Sequence, residues 1–79
     1  MLREDLPNLL YKTIESLGGA AETMEIFRQF WKLYGDDLSE EDDLFYTWNY
    51  DIRWAATELR KFGRMKQAFQ SPKGIWEIL

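Results

Sequence analysis

The segment Gly63-Arg64-Met65-Lys66-Gln67-Ala68-Phe69-Gln70-Ser71-Pro72-Lys73-Gly74-Ile75-Trp76-Glu77-Ile78-Leu79 decides the fold class. Gly63 ends the helix before it, and the residues after it are too few and too interrupted for another. Arg64–Phe69 and Ile75–Leu79 read as strands, with Gln70-Ser71-Pro72-Lys73-Gly74 as the turn between them. Pro72 fixes its own φ and Gly74 admits a positive one, which is the chemistry a turn requires. Trp76 and Ile78 alternate with Glu77, so one face of the last strand is apolar and needs helices to cover it. Lys73 is left at the tip. A hairpin alone is marginal, so the helices and the ribbon are expected to stabilise each other.

Working outward, Ile52, Ala55, Ala56 and Leu59 recur with Phe45 and Trp48 at spacings of three, four and seven, the core face of a helix that Gly63 terminates. Its start is announced by Ser39 with Asp42, a weak variant of the capping box, among acids that favour a helix N-terminus. Whether it runs unbroken from Ser39 or restarts near Leu44 stays open. Further upstream, Ile26, Phe27, Phe30, Trp31 and Tyr34 form the inner side of a second helix, capped by Thr23 and ended by Gly35. The first helix carries Leu6, Leu9, Leu10, Ile14 and Leu17, with Asp5 as its cap and Pro7 in the first turn, where a missing N–H costs nothing. Gly18-Gly19 stops it, and Ala20-Ala21 form a short extended link after it. Helix, short strand, helix, helix, hairpin is the order of a winged helix-turn-helix. The expected class is therefore α+β, three helices with a C-terminal β-hairpin wing, in one domain spanning 1–79.

Composition sets the bounds on chemistry. The 79 residues contain no cysteine and no histidine, which excludes disulfides, Cys/His zinc sites and Cys–His or Ser–His catalytic pairs. Four Trp, four Tyr and five Phe in a chain that is 46% hydrophobic point to a packed core. No apolar run approaches the roughly 20 residues of a membrane helix, and Met1-Leu2-Arg3-Glu4-Asp5 lacks the layout of a signal peptide. A soluble, cytoplasmic protein is expected, with no membrane association.

The net charge of −4 conceals an asymmetry. Residues 1–52 carry four bases against twelve acids, whereas residues 53–79 carry six bases against Glu58 and Glu77. Half of the upstream acids fall in one run: Asp36, Asp37, Glu40, Glu41, Asp42 and Asp43. The chain thus has an acidic middle and a basic C-terminal third.

The pattern Trp54-Ala55, Leu59 four residues later, Gly63, then Gly74 and Trp76-x-Ile78 resembles the N-terminal domain of Mrr-type restriction endonucleases. Leu6-Pro7-x-Leu9-Leu10 is similar to the start of that domain, and the specific match covers residues 52–63 and 71–78. The resemblance implies a winged-helix module that engages DNA, in a bacterial, archaeal or phage-encoded protein of a restriction-type system. It also implies that Trp54 packs under or beside the hairpin. The nuclease domain of that family has no counterpart in these residues, so no cleavage activity carries over.

The helix-turn-helix frame supplies the candidate sites. Opposite the core face of the third helix, Tyr46, Tyr50, Arg53, Thr57 and Arg60 or Lys61 form a second stripe. In such a frame this stripe meets the major groove, with Asn49 and Arg53 reaching base edges. Lys66, Gln70, Ser71 and Lys73 of the hairpin are positioned for the flanking backbone. The bland alternative is an ordinary solvated face. Asp51 and Glu58 flank the stripe and repel phosphate, so duplex affinity is expected to be modest and salt-sensitive.

The acidic run, together with Tyr46 and Tyr50, also reads as a surface for a protein partner or a homodimer, or simply as a solvated loop and helix cap. It is not an EF-hand loop, since counting from Asp36 puts Glu41 where glycine is required. No Gly-rich phosphate loop opens a helix, and no carboxylate sits in an apolar context suited to a general base. The sequence therefore favours a standalone DNA-binding regulator or accessory factor that is not an enzyme and takes no cofactor or metal. The rival is a protein-interaction module, or a phage-type inhibitor, on the same fold.

Overall fold

The computed structural model describes residues 1–79. A 3-10 turn at Arg3–Asp5 leads into α1, Leu6–Ser16; β1 is Ala20–Glu22 and α2 is Thr23–Tyr34. A second 3-10 turn, Gly35–Asp37, precedes α3, Asp43–Lys61, and a third, Ala68–Gln70, precedes β2, Ile75–Glu77.

Three caps expected from the sequence are replaced by other bonds. Asp5 does not cap α1; its Oδ2 accepts the Leu2 N–H at 2.8 Å and closes the entry turn instead. Thr23 is the first helical residue of α2, and both its N–H and its Oγ1 donate to the Gly74 carbonyl, at 3.0 and 3.2 Å. Ser39 caps no helix either: its Oγ accepts the Glu41 N–H at 3.2 Å within a turn, and α3 starts at Asp43. Of the two starts that the sequence left open for this helix, the later one is adopted. Gly18 and Gly19 both take positive φ, +94° and +97°, allowing the Gly19 N–H to reach back to the Ile14 carbonyl at 2.9 Å and end α1.

The apolar stripes converge on one cluster of 15 buried residues. Leu6, Leu10 and Ile14 of α1, Ile26 and Phe30 of α2, and Ile52, Ala55 and Leu59 of α3 are sealed from solvent. Each large side chain so buried contributes about 1.5–3 kcal/mol of transfer free energy. Leu44, which the helical pattern omitted, is buried as well, whereas Trp31 remains 43% exposed. Thr13 is the one buried polar residue, and its Oγ1 donates to the Leu9 carbonyl at 2.7 Å.

The ribbon differs from expectation. β2 pairs antiparallel with β1, Ala20 opposite Glu77, Ala21 opposite Trp76 and Glu22 opposite Ile75. The stretch 64–69 is not a strand; it contributes a single bridge, Met65 to Ile78. The cause lies in the glutamines. The Gln67 N–H donates to the Gln70 side-chain oxygen at 2.9 Å, and the Gln70 N–H to the Gln67 carbonyl at 2.9 Å, folding the chain into a 3-10 turn away from the ladder. Beyond it Pro72 has no N–H to offer. Residues 66–74 consequently form a loop anchored at both ends.

The result is an α+β fold of three helices and a two-stranded antiparallel sheet, measuring 38 × 22 × 17 Å. No helix is long and apolar enough to cross a membrane.

Candidate nucleic-acid interface

α2 and α3 are joined by a short acidic loop, and α2 turns Phe27 against α3 and the sheet. The Phe27 ring meets Trp48 at 5.9 Å and Trp76 at 6.0 Å between centroids, both edge-on. On this aromatic floor sit two arginines of α3. The Arg53 guanidinium carbon lies 5.2 Å from the Phe27 ring centre, and that of Arg60 lies 5.9 Å from the Trp76 ring. They are seven residues apart, so two helical turns bring them to the same face. A cation–π contact of this kind contributes about 0.5–1 kcal/mol at an exposed site. Arg60 is further fixed by its Nε, which donates to the Lys66 carbonyl at 3.1 Å.

Two more cations border the floor. Lys73, exposed, lines a cleft of about 260 Å³ with Arg60 and Trp76, and a second of about 280 Å³ with Thr23 and Met24. Arg28 lines an apolar groove of about 390 Å³ with Met24, Phe27, Trp31, Trp48 and Asn49. Arg28 is not among the residues expected from the sequence. A signal for it exists in the spacing Met24, Arg28, Trp31, a mixed stripe on α2 that a search for purely apolar stripes passes over. Four of the ten cations, Arg28, Arg53, Arg60 and Lys73, are therefore grouped around Phe27 and Trp76, whereas Arg64 lies over Tyr11 of α1 with its Nη1 donating to Asn8 Oδ1 at 2.7 Å.

The remaining residues of the α3 stripe, Tyr46, Asn49, Tyr50, Thr57 and Lys61, are exposed along the same helix. Hairpin residues fare differently. Lys66 is committed inward: its Nζ donates to Glu77 Oε2 at 2.9 Å, while Ser71 Oγ donates to Glu77 Oε1 at 3.1 Å. Gln70 is occupied by Gln67. These three position the loop, and of the hairpin set Lys73 keeps its whole polar group free while Gln70 keeps only its Nε2. The two hydrogen bonds, that from Lys66 first, hold the Glu77 carboxyl below the usual glutamate range.

The two acids of α3 that flank the stripe, Asp51 and Glu58, are also drawn aside. Asp51 accepts from Thr47 Oγ1 at 2.7 Å and from Arg3 Nε at 3.4 Å. The Arg3 guanidinium in turn lies 3.7 Å from the Trp54 ring centre. This N-terminal arginine covers Trp54, which also lines a cleft with Arg60 and with Gln67 of the 66–74 loop. Glu58 stands 3.9 Å from Lys61, a loose pair on a solvated surface.

At the other end of α3, Asp36, Asp37, Glu40, Glu41, Asp42 and Asp43 are all exposed, and none takes part in an ion pair. No three acidic side chains converge where a metal ion would sit. Tyr46 packs edge-on against Phe45 at 4.9 Å, and Phe45 against Trp31 at 6.1 Å, so this acidic end has an aromatic flank. No family model, no curated protein and no solved structure matches the chain.

Proposed function

We propose that the chain is a winged-helix module of the Mrr N-terminal type that binds double-stranded DNA as a regulator or accessory factor. The observation carrying this reading is the pair Arg53 and Arg60, in cation–π contact with Phe27 and Trp76 and with Lys73 beside them. Cations so held lose little further freedom on meeting phosphate. Arg53, one turn from Asn49, is the candidate for base edges; Arg28, Arg60, Lys61 and Lys73 are the candidates for phosphates. The C-terminal half of α3 leads in this binding mode, because the N-terminal half adjoins six unpaired carboxylates that repel a duplex. Asp51 opposes the duplex less than its place in the sequence implies, since Arg3 offsets its charge.

Fluorescence anisotropy with a mixed-sequence duplex tests the proposal. Binding is expected at low salt and to weaken as salt rises. Arg53→Ala and Lys73→Ala should each lower the affinity, and Lys73→Ala should also flatten the salt slope by about 1. Absence of binding at low ionic strength, with the protein folded, overturns it.

The acidic end favours a second reading, a protein partner or second copy meeting Tyr46, Tyr50 and the 36–43 run. Six exposed carboxylates without a single cation partner are the observation behind it. Combining Asp36→Asn, Asp37→Asn, Glu40→Gln and Glu41→Gln separates the two. The duplex reading expects unchanged or tighter DNA binding, while the partner reading expects self-association or a specific complex to disappear.

A further inference from the structure

Phe69 lies outside the core. At 85% exposure it is the most solvent-accessible large apolar side chain of the protein, more so than Tyr50 at 75% or Phe62 at 74%. Single exposed apolar residues are common and need no special account. Phe69 differs in how it is presented. It is the central residue of the 3-10 turn Ala68–Gln70, which the reciprocal Gln67–Gln70 hydrogen bonds close on both sides. The legs of the loop are fixed by Lys66 and Ser71, both bonded to the Glu77 carboxylate. A well-bonded mount thus carries an aromatic ring out into solvent. Its neighbour Ala68 lines the same cleft as Arg60 and Lys73, so the turn that carries the ring adjoins the cation group.

We infer that Phe69 is a wedge: on binding, it inserts its ring between stacked bases of the duplex beside the Arg60–Lys73 contact. This rests on the duplex reading above and specifies how the loop contributes to it. Apolar side chains next to cations part base steps in this way, with unstacking offset by stacking on the ring and by the extra phosphate contacts of a bent duplex. The loop's mount supplies the positioning, and Lys73 holds the adjacent backbone. Flexible pyrimidine–purine steps would be the preferred points of entry.

The test uses the full chain and a mixed-sequence duplex of about 20 base pairs containing TA steps, with 2-aminopurine placed beside them in turn. Wild-type protein is expected to raise 2-aminopurine fluorescence at one placement. Phe69→Ala should abolish that rise and weaken binding about tenfold, with the melting temperature unchanged. Phe69→Trp should retain the rise, and Phe62→Ala, a similarly exposed ring elsewhere, should alter nothing. Equal binding by wild type and Phe69→Ala without any fluorescence change overturns the wedge but leaves the duplex reading standing. No binding by folded wild type overturns both. A Phe69→Ala protein that unfolds assigns the ring a structural role and also defeats the inference, in which case Phe69→Leu shows whether apolar bulk alone is what the fold requires.

Discussion

At the C-terminal end of α3 the cations are held: Arg53 and Arg60 lie over aromatic rings, and Arg60 and Lys66 each have a hydrogen-bonded oxygen. At its N-terminal end the carboxylates are free, six of them exposed and unpaired. Both signs suit the helix itself, acids beside the positive end of its dipole and bases beside the negative end. Charge asymmetry alone is therefore explained by helix stability and says little about partners. The asymmetry of fixation is not explained that way, because the dipole is served equally well by a freely moving arginine. The duplex reading proposed above rests on this fixation, the aromatic area of Phe27 and Trp76 beneath Arg53 and Arg60.

The largest expected effect comes from removing that floor. Trp76 is 9% exposed, faces Phe27 across 6.0 Å and pairs with Ala21 in the sheet register. Trp76→Ala should cost about 3–5 kcal/mol. A domain of this size has about 4–12 kcal/mol in total, so the variant should be close to unfolding at ambient temperature. Thermal melts followed by circular dichroism give the answer, and an unchanged melting temperature breaks the link between the floor and the basic end.

The acidic end should respond less. Gly35 is buried beneath Trp31, where an added Cβ would stand 2.9, 3.0 and 3.3 Å from three indole carbons. Its φ of −57° suits any residue, so space alone demands glycine. Gly35→Ala forces the indole outward and breaks its stack on Trp48, now at 5.5 Å between centroids. A loss of about 1–2 kcal/mol is expected after the usual gain from a stiffer unfolded chain. Pairing it with Trp31→Leu should give less than the sum of the two single losses. Strict additivity would mean that the indole is not what limits the position.

These two positions also show what the sequence could convey. Trp76 was legible as an anchor because period-two alternation in a short terminal segment has few other meanings. The three helices were equally legible from apolar spacing. Gly35 was readable only as a helix stop, since the indole above it is a tertiary neighbour that no local pattern encodes. The short strand at Ala20-Ala21 was legible, but its pairing with β2 was hidden for a similar reason, since 64–69 looks like the nearer partner for the last strand. That stretch lost the competition through one side chain, Gln70, which satisfies the Gln67 N–H locally. Among candidate site residues, exposure along α3 was readable from the helical period. The diversion of Lys66, Ser71 and Gln70 was not, because all three depend on where Glu77 and Gln67 come to rest.

The smallest expected effect, and the finest probe of how the loop is mounted, is the acid response of Glu77. Its carboxylate accepts from Lys66 and Ser71, and these bonds hold its pKa below the ordinary glutamate value. A lowered pKa in the folded state means that the contribution is fully present above the unfolded value of about 4.3 and fades as pH falls through the folded one. Glu77→Gln keeps the shape but not the charge. Wild type should therefore melt higher than Glu77→Gln at neutral pH, the gap should hold down to about pH 5, and it should shrink as the solution becomes more acidic. Added salt should narrow the neutral-pH gap as well, because the Lys66–Glu77 pair is partly open to solvent. Should the gap stay constant from neutrality into strong acid, the carboxylate is not what ties Lys66 and Ser71 together, and the loop's rigidity would have to come from the glutamine turn alone.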